Sequence, residues 1–577
     1  KHFDTDLLMV MAALGAAFLG EFAEGALLLF LFSLGHALEE RALDRARAAV
    51  RALADLAPKI ALVRRDGKEQ ELPVESLRLE DVVIVRPGVR IPMDGIILTG
   101  NSGIDQSSVT GESLPVDKVP GDQVFASTVN GEGALEVKVT RLAKDSTLAR
   151  VMKMVEEAQA QKSPTQQTVE KFERVFVPAV LILTALIIIV PPLFGFPFRE
   201  SFLRAMTLLV AASPCALALG TPATILAGVA QAARNGVLVK GGVHLENLGR
   251  LKAIAFDKTG TVTHGKPEVT DVVVFPASGA ALSESKGWKE ADVLSLAAGA
   301  ESRSAHPLAQ AVVRSAQTQG LPVSVMDEVE SLTGRGLRAV SNGKTIWIGN
   351  QKLMNEAGVT LSSEFISRAE ALQGQGKTLM WVAVDKTAAG LIALADTLRR
   401  EAAPTMKALK GSGVAHTIML TGDNSRSASA IAKEIGLTEF RADLMPEDKL
   451  TVIRELVKEY GQVAMIGDGV NDAPALANAT VGIAMGGAGT DVALETADVA
   501  LMGDDLSKLP FAVGLGRATR AIIMQNLFIS LGVIAFLIIT SLTGIVSIGI
   551  AIIFHEGSTL VVVANALRLL GYKGKKE

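Results

Sequence analysis

A single cysteine, Cys215, stands in 577 residues. One thiol excludes a disulfide framework and any cysteine-rich metal site. Positive charge is not in excess either: 57 Lys and Arg face 61 Asp and Glu, a net charge of −4. That balance offers no basic surface, so no nucleic-acid partner is expected. No secretory signal pattern is present. The chain opens on Lys1 rather than methionine, so a trimmed fragment is expected. Apolar residues, by contrast, are plentiful. Mean hydropathy is +0.34, high for a soluble protein, and the length implies three or four structural units.

Long uncharged runs explain the hydropathy. A membrane helix needs roughly 20 mostly apolar residues. Val175 to Phe198 and Ala205 to Ala233 carry no charge, and neither does Ala521 to Phe554. The last is too long for one span, and "SLTG" at Ser541 to Gly544 reads as the turn that divides it, the second half ending at Leu567. Leu7 to Gly20 and Gly25 to Gly35 are shorter, with Glu21 and Glu24 between them. They read as a membrane hairpin with a wet tip, a soluble hairpin being the alternative. Arg41, Arg45, Arg47, Lys171, Arg174, Arg234, Arg517, Arg520, Arg568 and Lys573 flank the six helices on one side, the cytosol by the positive-inside rule. Arg199 and Arg204 are expected in a short outer loop.

Two insertions remain. The first, with alternating apolar residues as in "EDVVIVRPGVRIPMDGIIL", predicts a small β domain. The second alternates short β-type runs ("AIAFD", "HTIML", "QVAMIG") with helical stretches, which predicts a parallel sheet with crossover helices. There, Asp257 ends one strand, Thr421 and Asp423 follow another, and Asp468, Asn471 and Asp472 follow a third. Sites in open α/β sheets lie beyond the carboxyl ends of strands. Clustered carboxylates attract Mg²⁺, and a carboxylate can attack a phosphoryl group to form an aspartyl phosphate. Lys449 in "MPEDKL" is either the neutralising cation or an ordinary helix-start lysine.

"DKTGT" (Asp257 to Thr261), "TGD" (Thr421 to Asp423) and "GDGVND" (Gly467 to Asp472) resemble the phosphorylation domain of P-type ATPases, which belong to the haloacid-dehalogenase-like hydrolases. "TGES" at Thr110 to Ser113 resembles their actuator loop. The resemblance implies that ATP phosphorylates Asp257, and that Asp468 and the Thr259 carbonyl hold Mg²⁺ with it. It also implies that Thr421, Asp423 and Lys449 contact the phosphoryl group, and that Glu112 positions the hydrolytic water. Lys258, Thr259, Asn471 and Asp472 complete the implied catalytic set. "ESRSAHPLA" resembles the adenine-site motif of the heavy-metal branch, with Glu301 and His306 as contacts; "TGRGL" supplies Gly334 and Gly336 for close nucleotide approach. The implied organisation is membrane helices 1 and 2 in 1–47, actuator 48–167, helices 3 and 4 in 168–234, phosphorylation domain 235–275 and 386–515, nucleotide-binding domain 276–385, and helices 5 and 6 in 516–577. The fold class expected is therefore a multidomain α-helical membrane protein: a six-helix bundle, a β-rich actuator, and a haloacid-dehalogenase-like domain with an α+β nucleotide-binding insertion.

Within the fourth span, "LLVAASPCALALG" places Pro214 beside Cys215. Proline has no amide hydrogen, so the Val210 carbonyl is expected to lose its helical partner, and the kink to expose backbone oxygen at membrane depth. Ser213 and Cys215 flank it. In the sixth helix, "IAIIFHEGSTLVVVANAL" carries His555 and Glu556, with Thr559 three and four residues on. A charge at the bilayer centre costs roughly 2.5–3.5 kcal/mol or more, which makes such residues functional candidates. Taken alone, either motif also reads as inert packing. Together, one thiol, imidazole, carboxylate and hydroxyl suit a borderline divalent transition metal rather than copper(I) or a hard ion. "SPC" and "HEGST" resemble the cobalt-exporting subclass, whose members are also linked to iron, zinc or cadmium. The "CPC" of copper and many zinc pumps is missing, and the two helices, sometimes with a metal-binding domain, that this branch commonly has ahead of the hairpin are expected to be absent or trimmed. The expectation is ATP-driven Co²⁺ export, with Zn²⁺, Cd²⁺ or Fe²⁺ export as alternatives and a membrane-anchored phosphatase as a remote one. ATP and Mg²⁺ are the expected cofactors, lipid and the metal ion the partners, a monomer the working unit, and a prokaryotic plasma membrane the location.

Overall fold

In a computed structural model of the chain, residues 5–54, 58–65, 67–106, 115–146, 149, 161–275, 288–304, 306–332, 335–423, 425–468, 472–486 and 496–574 are described. They form two compact units, Lys1–Lys252 with Ala479–Glu577, and Ala253–Asn478.

The first unit holds the apolar helices. Thr5–Phe18 and Phe22–Ala54 make a hairpin. Glu24 lies in the first turn of the second helix rather than in the connection. Pro164–Leu193 begins where Ser163 accepts a hydrogen bond from the Gln166 amide and Pro164 occupies the first helical position, a pairing that starts helices because neither residue wastes a donor. Lys171 and Arg174 thus lie inside this helix. Phe198–Ala211, Cys215–Arg234, Lys508–Leu542 and Ile548–Leu567 follow. The turn read from "SLTG" is present: the helix stops at Leu542, and Gly544 at φ 73° closes it in the left-handed conformation glycine tolerates. Among the described residues, four segments are long and apolar enough to cross a membrane: Pro164–Leu193, Phe198–Arg234, Lys508–Leu542 and Ile548–Gly571. Leu8–Phe18 and Phe22–Leu38 are shorter apolar helices. Ile182, Ile189, Phe528 and Ile539 are exposed on these helices, as side chains facing lipid are.

Two expectations are corrected. Arg199 and Arg204 are not in a loop. Pro197, suited to a helix start but not its interior, launches Phe198–Ala211, so both arginines are helical, and Arg199 pairs with Glu21. Nor is the Val210 carbonyl freed by Pro214. The helix tightens at its end, and the Ser213 amide donates to Val210 at 3.3 Å. Instead of one kinked helix there are two, interrupted between Ala211 and Cys215. Pro214 restarts the ladder by accepting from the Leu217 and Ala218 amides at 3.0 and 2.9 Å.

The same unit carries the β domain. One sheet runs Lys68–Pro73, Ile60–Arg65, Val82–Val85, Leu135–Val139, Gly95–Thr99, Gln123–Val124, and a smaller one runs Val116–Lys118, Ser102–Asp105, Val129–Asn130. Alternating Val63, Val83, Val85, Leu135, Val137 and Val139 form its core, as the period-two pattern requires.

The second unit contains four parallel strands in the order Val463–Gly467, Ala253–Asp257, His416–Leu420, Glu439–Arg441. Helices Ala402–Gly411, Ser425–Ile435 and Pro446–Tyr460 connect them. Ala253–Asp257 and Val463–Gly467 are buried along their whole length, which is why they read as unbroken apolar runs. A six-stranded antiparallel sheet is inserted, in the order Thr263–Val274, Thr387–Leu398, Thr378–Val384, Lys344–Gly349, Gly336–Ser341, Glu328–Leu332. Its two longest strands, Thr263–Val274 and Thr387–Leu398, pair with each other and lie outside the limits 276–385 expected for a nucleotide-binding domain.

Candidate functional site

Three parallel strands of the second unit end in polar motifs along one edge. Asp257 closes its strand; Thr421 and Asp423 follow Leu420; Asp468 follows Gly467. The register sets Asp257 opposite Leu420 and Phe256 opposite Ile466, so the sheet ladder holds the motifs level.

Lys449, from the helix Pro446–Tyr460, reaches over this edge. Its Nζ donates to Asp257 Oδ1 at 2.5 Å and to Asp472 Oδ1 at 2.8 Å. Asp448 fixes the start of that helix by accepting from the Met445 amide at 2.9 Å. Burial pushes Asp257 up to about 6; the charge of Asp472 adds to this and Lys449 opposes it. Asp472 is raised as well, chiefly by burial. Burial acts to lower Lys449, but the two carboxylates outweigh it and hold the ammonium above its ordinary range.

Asp472 Oδ2 is buried with no hydrogen-bond partner among the described residues. Gly467 makes room for it, since a Cβ there would sit 2.7 Å from that oxygen. An orphaned carboxylate oxygen beside Asp257 and near Asp468 is the hard donor chemistry that Mg²⁺ takes. Among the described residues, however, no three His, Cys, Asp or Glu side chains are gathered closely enough to hold a metal ion; Lys449 is the cation between two of these carboxylates.

The loop after Asp257 turns through Gly260 at φ 73°. Arg399, 4% exposed, braces it, donating from Nη2 to the Gly260 carbonyl at 3.2 Å and from Nε to the Thr263 carbonyl at 3.1 Å. Lys258 Nζ donates to Asp423 Oδ2 at 2.6 Å, tying the first motif to the second. The Asp423 amide donates to Thr421 Oγ1 at 3.1 Å.

In the first unit, the helix Ile548–Leu567 packs against both Cys215–Arg234 and Phe22–Ala54. Ser213 is fully buried, and its Oγ lies 3.1 Å from Cys215 Sγ across the helix break. Cys215 packs against an apolar cluster that includes Leu28, Ile548, Ala551 and Ile552, the last three a turn or two before His555. His555 and Glu556 are both buried, and His555 Nε2 has no hydrogen-bond partner among the described residues. Thr559 Oγ1 donates to the His555 carbonyl at 3.3 Å. Glu556 lies against Gly35, where any Cβ would overlap its carboxylate. Elsewhere in this unit, a cavity of about 290 Å³ is lined by Glu21, Glu24, Glu200, Arg204 and Ser541, and the buried Ser541 Oγ has no partner among the described residues.

Residues 55–156 match the P-type ATPase actuator domain, and residues 251–480 match the haloacid dehalogenase-like hydrolases. A cadmium-transporting ATPase of Staphylococcus aureus is 45% identical over 99% of this chain and 78% of its own length. The chain belongs to the heavy-metal P-type ATPases. A zinc-transporting ATPase of Bacillus subtilis (strain 168) is 42% identical over 99% of this chain and 87% of its own. The crystal structure of a zinc-transporting PIB-type ATPase in the E2.Pi state superposes with a TM-score of 0.67 at 40% identity, covering 98% of this chain and 90% of that one.

Other candidate residues of this P-type ATPase are placed as follows. Glu301 is buried, which raises its carboxyl, with the Ser304 side chain hydrogen-bonded to it. His306 is exposed and caps the helix Pro307–Thr318, its Nδ1 accepting from the Leu308 amide at 3.3 Å. The room left by Gly336, at φ 143°, is taken by the Ile348 carbonyl of the neighbouring strand. Glu112 with the rest of "TGES", Gly334 and Asn471 lie outside the described residues.

Sequence reasoning missed Arg399 and a polar ladder between apolar helices. Asn526 Nδ2 donates to Thr224 Oγ1 at 3.3 Å, and Asn565 Nδ2 donates to Asn526 Oδ1 at 2.8 Å. Two asparagines inside long apolar runs were the available signal, since buried amides in lipid are retained where another helix satisfies them. Arg399 has no comparable signature.

Proposed function

We propose that this ATPase exports a borderline divalent transition metal from the cytosol and that Co²⁺ is the cargo its donor set fits. The observation that carries the reading is the buried His555–Glu556 pair, set in an apolar helix that packs on the helix restarting at Cys215. It offers one sulfur, one nitrogen and one carboxylate, too little sulfur for copper(I) and more than a hard ion requires. The test is ATPase activity of the purified chain across Co²⁺, Zn²⁺, Cd²⁺ and Fe²⁺. Strongest stimulation by Co²⁺ supports the reading. The names of the Staphylococcus and Bacillus relatives favour Cd²⁺ or Zn²⁺ as a second reading, which stronger stimulation by those ions would establish.

In the proposed cycle the Asp257 carboxylate attacks the γ-phosphorus of ATP, and the bond to the ADP oxygen breaks as the aspartyl phosphate forms. Lys449 and Lys258 hold the developing negative charge. Mg²⁺ bound at Asp257, Asp468 and the Thr259 carbonyl would neutralise charge on the transferred group. Glu112 then positions the water that hydrolyses the acyl phosphate and resets the enzyme. Transport follows if the ligand set around Cys215, His555 and Glu556 closes on metal in one phosphorylation state and opens in another, because only differential affinity shifts an equilibrium. The acid-lined cavity at Glu21, Glu24 and Glu200 is the outward mouth in this scheme.

Two predictions arise here. Gly35→Ala pushes a methyl group against the Glu556 carboxylate, while alanine favours helix by about 1 kcal/mol over glycine. Overpacking costs about 1–3 kcal/mol, so thermal stability is expected to hold or fall slightly while the metal concentration for half-maximal ATPase activity rises roughly tenfold, a size typical of displaced ligand support. His306→Asn keeps a helix cap but removes the imidazole. A roughly tenfold higher KM for ATP with unchanged stability, the loss of about 1.4 kcal/mol of binding, marks the imidazole as a nucleotide contact; an unchanged KM leaves it a cap only.

A further inference from the structure

A cavity of about 360 Å³ opens beside the helix Lys508–Leu542, lined by Gly249, Arg517, Arg520, Ala521 and Met524. Arg520 is the last charge before the uncharged run from Ala521 to Phe554, which puts the cavity at the boundary between headgroups and hydrocarbon. Its side chain is exposed and pairs with no other among the described residues. Arg517 is half-buried and anchored, its Nη2 donating to the Leu251 carbonyl at 3.4 Å. The floor is rigid: Gly249 lies so close to the helix that a Cβ would stand 3.0 Å from the Arg517 amide nitrogen and overlap the Gly516 carbonyl. From Arg517 the face continues at helical spacing through Ala521 to Met524, Phe528 and Leu531, the last three exposed. Two cations thus head a strip of apolar side chains.

That layout matches one class of ligand, with a negative head and a hydrocarbon tail. A free phosphate would leave the apolar strip without purpose, and a zwitterionic lipid would bring its own cation towards two guanidinium groups. Arginine presents a fork suited to phosphate oxygens. We infer that the cavity seats an anionic phospholipid of the cytoplasmic leaflet. Its phosphate lies between Arg517 and Arg520, and an acyl chain runs along Met524, Phe528 and Leu531.

The test is native mass spectrometry of the full chain in detergent, with phosphatidylglycerol or phosphatidylcholine added at equal concentration and no transported metal present, so that the outcome is independent of the cargo. Retained phosphatidylglycerol is expected, with phosphatidylcholine lost. Arg520→Gln should weaken retention about fivefold, the worth of one basic residue at an anionic leaflet. Arg520→Lys should keep most of it. Ala521→Trp, at an exposed position, fills the cavity without touching either charge and should also weaken retention. Equal retention of the two lipids overturns the proposal, and so does retention unmoved by both Arg520→Gln and Ala521→Trp. Displacement of the lipid by millimolar inorganic phosphate alone overturns it too, by showing a bare anion site.

Discussion

Replacing Asp257 with asparagine is expected to abolish ATP hydrolysis and phosphoenzyme formation, lowering turnover by at least about 10⁴-fold, the scale seen when a covalent nucleophile is removed. The amide keeps the shape of the side chain and its place opposite Leu420, but it lacks the attacking oxygen. Acid-stable incorporation of radiolabelled phosphate checks this directly. The wild-type pH profile supplies a second reading of the same group. Burial, the largest influence, raises Asp257 to about 6 in the metal-free site. The carboxylate is the attacking form, and Mg²⁺ held beside it would favour that form, so the acid limb of phosphorylation should lie below that value and move up towards it as Mg²⁺ is lowered. Lys449→Met removes the opposing cation and should move the acid limb upward. The raised carboxyl also means that the folded chain holds a proton the unfolded chain has shed, so this group subtracts stability as pH rises from 3.8 to about 6.

Cys215→Ala and Glu556→Gln are each expected to raise the metal concentration needed for half-maximal ATPase activity by roughly 100-fold or to eliminate stimulation, at the upper end of what lost ligand interactions cost. The reasoning is positional. Cys215 opens a helix beside a fully buried serine hydroxyl, and Glu556 is buried against Gly35 in an otherwise apolar helix. A carboxylate kept in such surroundings needs a cation or protein partner, and glutamine preserves its size without the charge. The chemical machinery lies elsewhere in the chain, so phosphorylation of the variants by inorganic phosphate in the reverse direction should persist. Stimulation that survives both substitutions would show that the metal binds somewhere else.

How much of this was legible in the sequence depended on whether a feature was local. Asp257, Thr421 and Asp468 could be placed together because buried parallel strands read as short apolar runs and their carboxyl ends share an edge. The "SLTG" turn was legible because Gly544 must adopt a left-handed conformation. Pro214 announced an interruption, but not its form: a helix end can re-bond its carbonyls one residue earlier, as Ser213 does with Val210, and no residue pattern encodes that adjustment. Helix limits were read poorly where hydropathy was the guide. Lys508–Leu542 begins well before the uncharged run at Ala521, because apolarity marks the part in lipid and not the whole helix. Arg399 lies far along the chain from the Gly260 carbonyl it holds, and only the folded sheet brings them together. Gly336 looked like room for a nucleotide, whereas the adjacent Ile348 carbonyl fills that room.

Coupling between ATP and metal movement is tested most directly in vesicles that hold the purified chain with its large domains outward. With ATP and Mg²⁺ outside, the account predicts that radioactive Co²⁺ accumulates inside the wild-type vesicles and stays out of vesicles carrying Asp257→Asn or Glu556→Gln. Hydrolysis of ATP by the wild type with no accumulation of Co²⁺, Zn²⁺, Cd²⁺ or Fe²⁺ would contradict it.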